Sequence, residues 1–132
     1  MSLLLDTSVL IADVDGPKEE AGISAISIAE LHFGLLVASD QTRAARLRRL
    51  AIIESAFDPL PFDTDVAREC GRLQAVMVQR GGKARRRAFD LAIAATAKVH
   101  GLPLLTFNAA DFKLIEDLVE IRSPDAGPPA DA

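Results

Sequence analysis

Three leucines in a row, Leu3 to Leu5, end without transition at Asp6. A strand that lacks a polar residue at every second position is buried on both faces, and that burial belongs to a parallel sheet covered by helices on each side. The rest of the chain supplies both kinds of element. A short helix Thr7–Ala12 and a loop from Val14 precede a second strand, "ISAIS", from Ile23 to Ser27. Helical spacing resumes near Ser27 in "IAELHFGLLVA", and "DQTRAARLRRLAIIESA" forms the next helix with Asp40 as its cap. "FDPLPF" is too rich in proline for a central strand and suits an edge. Asp63 is placed to cap "DVARECGRLQAVMVQRGG", which Gly81 and Gly82 terminate, and Gly101 closes the Ala-rich helix "AFDLAIAATAKVHG". "LPLLTF" reads as a strand, "NAADFKLI" as a short helix and "LVEIR" as a last strand. Strands alternating with helices predict an α/β fold with a central, mainly parallel sheet.

The 132 residues suffice for one domain with a real core. That domain is expected over 1–122, followed by a tail over 123–132, "SPDAGPPADA", whose composition favours disorder. No apolar run approaches the roughly 18 residues of a membrane span, and the opening "MSLLLDTS" carries no basic leader, so a cytoplasmic protein is expected. Cys70 is the single cysteine, which excludes an internal disulfide and a cysteine-built zinc site. The net charge of −4 hides an uneven distribution. Residues 41–113 hold thirteen bases against seven acids, while both flanks are acidic. A basic middle beside a concentration of carboxylates is compatible with a polyanion partner.

Four acids stand where such a sheet would gather them. Asp6 ends the first strand, where it is either an N-cap or the floor of a crevice, since open α/β sheets bind ligands at the carboxyl ends of their strands. Glu30 interrupts the apolar run "ISIAELHFG". Asp90 shares a helical side with Ile93, Ala94 and Ala97, and Asp111 follows "LLTFN". Carboxylates on inward faces need partners, because an unpaired buried charge costs several kcal/mol. Oxygen-only sets of this kind suit hard divalent cations such as magnesium and manganese.

The stretches "LLLDTSVLIA", "ISAISIAELHFG" and "RRRAFDLAIAATAKVHGLPLLTFNAADF" resemble, in order and spacing, the signatures of PIN-domain nucleases of the VapC type, toxins of bacterial toxin–antitoxin operons. The resemblance spans Leu3 to about Ile121. It implies a three-layer α/β/α sandwich and a metal-dependent endoribonuclease site in which Asp6, Glu30, Asp90 and Asp111 hold one or two Mg²⁺ or Mn²⁺ ions. Thr7, Ser8, Thr106 and Asn108 match positions that orient the acids. A cognate VapB-type antitoxin and a homodimer are implied as partners. The segment between Asp6 and the second strand is shorter than in most relatives.

The residues permit the same chemistry. Metal-activated water needs no covalent nucleophile, and none stands out: Ser8 has no base assigned to it, and His32 and His100 are isolated and read as structural. Met77 and the six phenylalanines read as core. The basic run "RGGKARRR", with Lys83, Arg85, Arg86 and Arg87, is expected to follow an RNA backbone just ahead of Asp90. The apolar stripes of "LHFGLLVA" and "LRRLAIIESA" exceed what one small sheet face covers, which predicts self-association. A phosphoacceptor receiver would need paired acids after the first strand, and a haloacid-dehalogenase-like phosphatase a second Asp where Ser8 stands. The remaining rival is a PIN-like module that binds RNA or protein without cutting.

Overall fold

The structure is a computed structural model that describes residues 1–12 and 20–124. Most of the expected loop from Val14 and the expected tail from Asp125 onward lie outside the described residues. The chain runs β1 (Leu3–Leu5), α1 (Thr7–Ile11), β2 (Ala21–Ile23), α2 (Ala25–Leu36), α3 (Asp40–Ala56), α4 (Thr64–Gln79), α5 (Ala88–Val99), β3 (Leu104–Leu105), a 3-10 helix (Ala109–Ile115) and β4 (Ile121–Arg122). The four strands form one sheet in the order β2-β1-β3-β4 with every pair parallel. Leu3 lies opposite Ala21 on one side of β1, and Leu4 opposite Leu104 on the other.

Both faces of β1 are buried, as the unbroken leucine run requires. Leu4 enters a core with Val66, Leu73 and Met77 of α4, Leu91 to Ala97 of α5, and Phe112 and Ile115 of the 3-10 helix. Leu3 and Leu5 enter a second core with Val9, Ile23 and Ile53. The result is three layers, with α4 and α5 on one face and α1 to α3 on the other. Alanines at 92, 94, 95 and 97 let α5 lie close against its neighbours, and all four are buried.

Several boundaries move. The second strand is Ala21–Ile23 instead of Ile23–Ser27, and α2 starts at Ala25. The reason is Ser24: its hydroxyl accepts the Ile26 amide at 3.0 Å, which makes it a helix cap instead of a strand residue. Ser39, not Asp40, is the capping residue of α3, and Asp40 sits in the first turn, where Arg43 reaches it at 2.9 Å. The last two strands shrink to two residues each. Other expectations hold. The Asp63 carboxylate accepts the Val66 amide at 3.0 Å, Gly81 and Gly101 take positive φ at the ends of α4 and α5, and Leu60 of "FDPLPF" bridges to Ser24 at the sheet margin. His32 bonds Glu54 across α2 and α3 at 2.8 Å, and Cys70 is a buried free thiol. Not every phenylalanine is core. Phe112 is, but Phe33, Phe62 and Phe89 are exposed.

The topology fixes where a crevice falls. From β1 the chain goes first to β2 on one side and later returns to β3 on the other, so the carboxyl end of β1 is the switch point of the sheet. The next residue after β1 is Asp6.

Candidate active site

Asp6 occupies the capping position of α1 with extended backbone, φ −69° and ψ 157°, yet its side chain makes no capping bond. It is 4% exposed. Its Oδ2 accepts the hydroxyls of Ser8 at 2.8 Å and Thr106 at 2.7 Å. The backbone amide of Phe107 in turn donates to Ser8 Oγ at 3.1 Å, and that of Asn108 to Thr106 Oγ1 at 2.9 Å. Each hydroxyl therefore has its own proton directed at the carboxylate by an amide behind it. The two hydroxyls stand in for part of the water that a buried carboxylate loses.

Glu30 lies on the second turn of α2. Thr7 Oγ1 donates to its Oε1 at 2.6 Å and stands 2.8 Å from Ser27 Oγ. Burial holds the Glu30 carboxyl above its ordinary range; the Thr7 hydroxyl opposes this and the charge of Asp6 adds to it. Ser27, fully buried on α2, is a support that sequence reading missed. Its signal was a serine inside an apolar helical face.

Asp90 stands in the first turn of α5 and Asp111 in the first turn of the 3-10 helix. Arg87 joins them, with Nη2 3.1 Å from Asp111 Oδ1 and Nη1 3.6 Å from Asp90 Oδ2. The Asp90 carboxyl is pushed up to about 6, first by burial, then by the charges of Asp6, Asp111 and Glu30, with Arg87 acting in the opposite direction. The four acids thus share one electrostatic field although they come from four separate elements.

The sequence expectations divide here. Thr7, Ser8 and Thr106 all touch an acid. Asn108 contributes through its backbone alone, its carbonyl accepting the Asp111 amide at 2.9 Å. Lys83, Arg85 and Arg86 are exposed, as a surface for a polyanion requires. Arg87 differs, because its guanidinium is engaged by two carboxylates. Among the described residues no three acidic, imidazole or thiol side chains stand close enough to grip one cation as they lie. Glu30 is turned to Thr7 and Asp111 to Arg87. The donor set itself is all oxygen, of the type hard divalent cations take, and among the described residues the cation that pairs with its acids is Arg87.

A PIN domain family model matches residues 3–118. Ribonuclease VapC5 of Mycobacterium tuberculosis is 37% identical over 128 residues, which cover 90% of this chain and 91% of the relative. Ribonuclease VapC1 of Rickettsia felis is 33% identical over 129 residues, 89% of this chain and 93% of the relative. Among solved structures, VapBC-5 from Mycobacterium tuberculosis, a member of the VapBC family of toxin–antitoxin systems, superposes with a TM-score of 0.79 at 32% identity over 95% of this chain and 98% of that one. VapBC2 from Rickettsia felis, bound to a promoter DNA fragment, has a TM-score of 0.78 at 23% identity over 95% of this chain and 100% of that one, a likeness of fold.

Proposed function

Because the chain belongs to the PIN domain family, we propose that it is an endoribonuclease toxin that hydrolyses RNA phosphodiester bonds and is held in check by a cognate VapB-type antitoxin. The relatives named ribonuclease and the solved toxin–antitoxin assemblies support this reading. The observation that carries it is the convergence of four acids on the crevice end of the sheet, with Asp6 and Glu30 linked through α1 and Asp90 and Asp111 linked through Arg87.

Asp6, Glu30, Asp90 and Asp111 would hold Mg²⁺ or Mn²⁺. Such an ion, when bound, polarises a phosphate oxygen, offsets charge in the transition state and lowers the pKa of a coordinated water. The protein's own part is orientation. Ser8 and Thr106 fix Asp6 through a single oxygen, Oδ2, and so set the plane of the carboxylate. Thr7 fixes Glu30 in the same way. Arg87 neutralises part of the acid cluster and stands ready to turn from Asp111 to a phosphate. Lys83, Arg85 and Arg86 line the approach and meet the RNA backbone. An antitoxin that offers an Arg or Lys to the same carboxylates would compete with the ion.

The test is endonucleolytic cleavage of labelled single-stranded RNA by the purified chain, in Mg²⁺ or Mn²⁺ and in EDTA. Fragments are expected only with the divalent ion, and Asp6→Asn should reduce cleavage by about 100-fold or more. Asn is as good a helix cap as Asp, so an unchanged rate would reduce Asp6 to a cap. RNA that is bound and never cut would leave the chain a silent binding module.

A further inference from the structure

A cleft of about 340 Å³ opens beside the acids, lined by Glu30, Arg85, Arg86, Ala88, Phe89 and Asp90. Its composition is unusual for a site built to hold a cation. Phe89 is 55% exposed, immediately before Asp90 on α5, where an apolar ring in water is unfavourable unless something covers it. α5 does not lack room to bury apolar groups, since Leu91 to Ala97 are all buried just beyond it. The ring shares the cleft lining with two exposed arginines, Arg85 and Arg86, and with two acids of the site, Glu30 and Asp90. Aromatic ring, guanidinium and phosphate-directed charge in one cleft are the parts that single-stranded nucleic acids use: bases stack on the ring while cations follow the backbone.

Resting on the nuclease reading above, we propose that Phe89 is a stacking platform for one unpaired nucleobase next to the scissile phosphate, with Arg85 and Arg86 holding the adjoining phosphates. At about 340 Å³ the cleft is large enough for a single base. Paired bases of an A-form duplex are stacked inside the helix and cannot reach it, so the platform selects single-stranded loops and ends. Stacking is tolerant of base identity, so Phe89 sets where the strand is gripped more than which sequence is read.

The chain contains no tryptophan. Phe89→Trp therefore places a lone fluorophore at the platform, and Phe89→Ala removes the ring. Binding of short labelled RNAs is measured in EDTA, so that the strand survives: a single strand, the same strand with an abasic residue at successive positions, and a duplex. Phe89→Ala should weaken single-strand binding by about 5- to 150-fold and leave duplex binding unchanged. Phe89→Trp should bind like the wild type, with emission quenched by the intact strand and less by the strand whose abasic residue falls at the platform. Wild-type affinity in Phe89→Ala, or equal quenching by every abasic strand, would overturn the proposal. So would a Phe89→Ala variant that keeps its RNA affinity and instead changes sedimentation or antitoxin binding, which would make Phe89 a protein contact. Failure of the wild type to bind or cut any RNA would remove the nuclease reading itself, whereas a wild type that cuts while Phe89→Ala binds normally removes the platform alone.

Discussion

Asp90 is the residue at which the cost of the site is concentrated. Its carboxyl is raised from an ordinary 3.8 to about 6, so between these values the folded state holds a proton that the unfolded state has released. Stability of the metal-free protein therefore falls as pH rises from about 4 to about 6, and the protonated fold is the favoured one below that window. Solvent screening at a partly exposed carboxyl leaves roughly 1 to 2 kcal/mol of this effect. Urea melts across that range should show the slope, and Asp90→Asn should flatten it. Arg87→Gln, which deletes the one charge that lowers the Asp90 value, should move the window to higher pH. A pH-independent difference between wild type and Asp90→Asn would contradict the assignment. Cation binding should follow the opposite course, strengthening as pH rises through about 6, because the ion needs the proton gone.

The elements that carry the acids are held by loops whose glycines differ in purpose. Gly81 ends α4 at φ +85° with open space around it, so Gly81→Ala should cost about 1 kcal/mol of backbone strain and spare cleavage. Gly82 has no such space: an added Cβ would lie 2.6 Å from Leu114 Cδ1 and 3.2 Å from the Met77 carbonyl oxygen. Leu114 belongs to the 3-10 helix that bears Asp111, so Gly82→Ala should lower both melting temperature and cleavage. Cleavage equally preserved in both variants would break the link between that helix and the site. The same contrast shows what a sequence makes legible. Asp6, Glu30 and Asp90 stood out because each interrupts an apolar context, and the leucine run demanded a sheet with two covered faces. "ISAIS" was ambiguous, since a serine between isoleucines fits a strand as well as a cap, and only the Ile26 amide decides. Arg87 reads as one base of an exposed run and Phe89 as core, and neither the pairing of the one with Asp90 and Asp111 nor the exposure of the other was legible. α5 is buried on all sides from Leu91 to Ala97, so periodicity assigns it no outer face.

At the scale of the molecule, α2 and α3 leave Phe33, Leu36, Val37, Leu47 and Ile52 exposed, with Leu36 75% accessible. The apolar excess expected from the sequence is thus present on the surface of the chain. We expect it to be covered by a second copy in a two-fold dimer. Sedimentation at tens of micromolar should give a dimer, and Leu36→Glu should give a folded monomer; a monomeric wild type would contradict the dimer. No helix of the described residues is long and apolar enough to cross a membrane.

The bond from Thr106 to Asp6 spans 100 positions of the chain. β1, one of the two inner strands, waits for residues 104 and 105 to acquire its second neighbour. Contacts this distant in sequence form late, and during translation they cannot form until the distal segment has left the ribosome. An incomplete chain thus carries Asp6, Glu30 and Asp90 without the hydroxyl that aims the first of them or the helix that brings Asp111. On the nuclease reading proposed above, that order delays assembly of the four acids until the segment with Thr106 and Asp111 has emerged, and an antitoxin has until then to arrive.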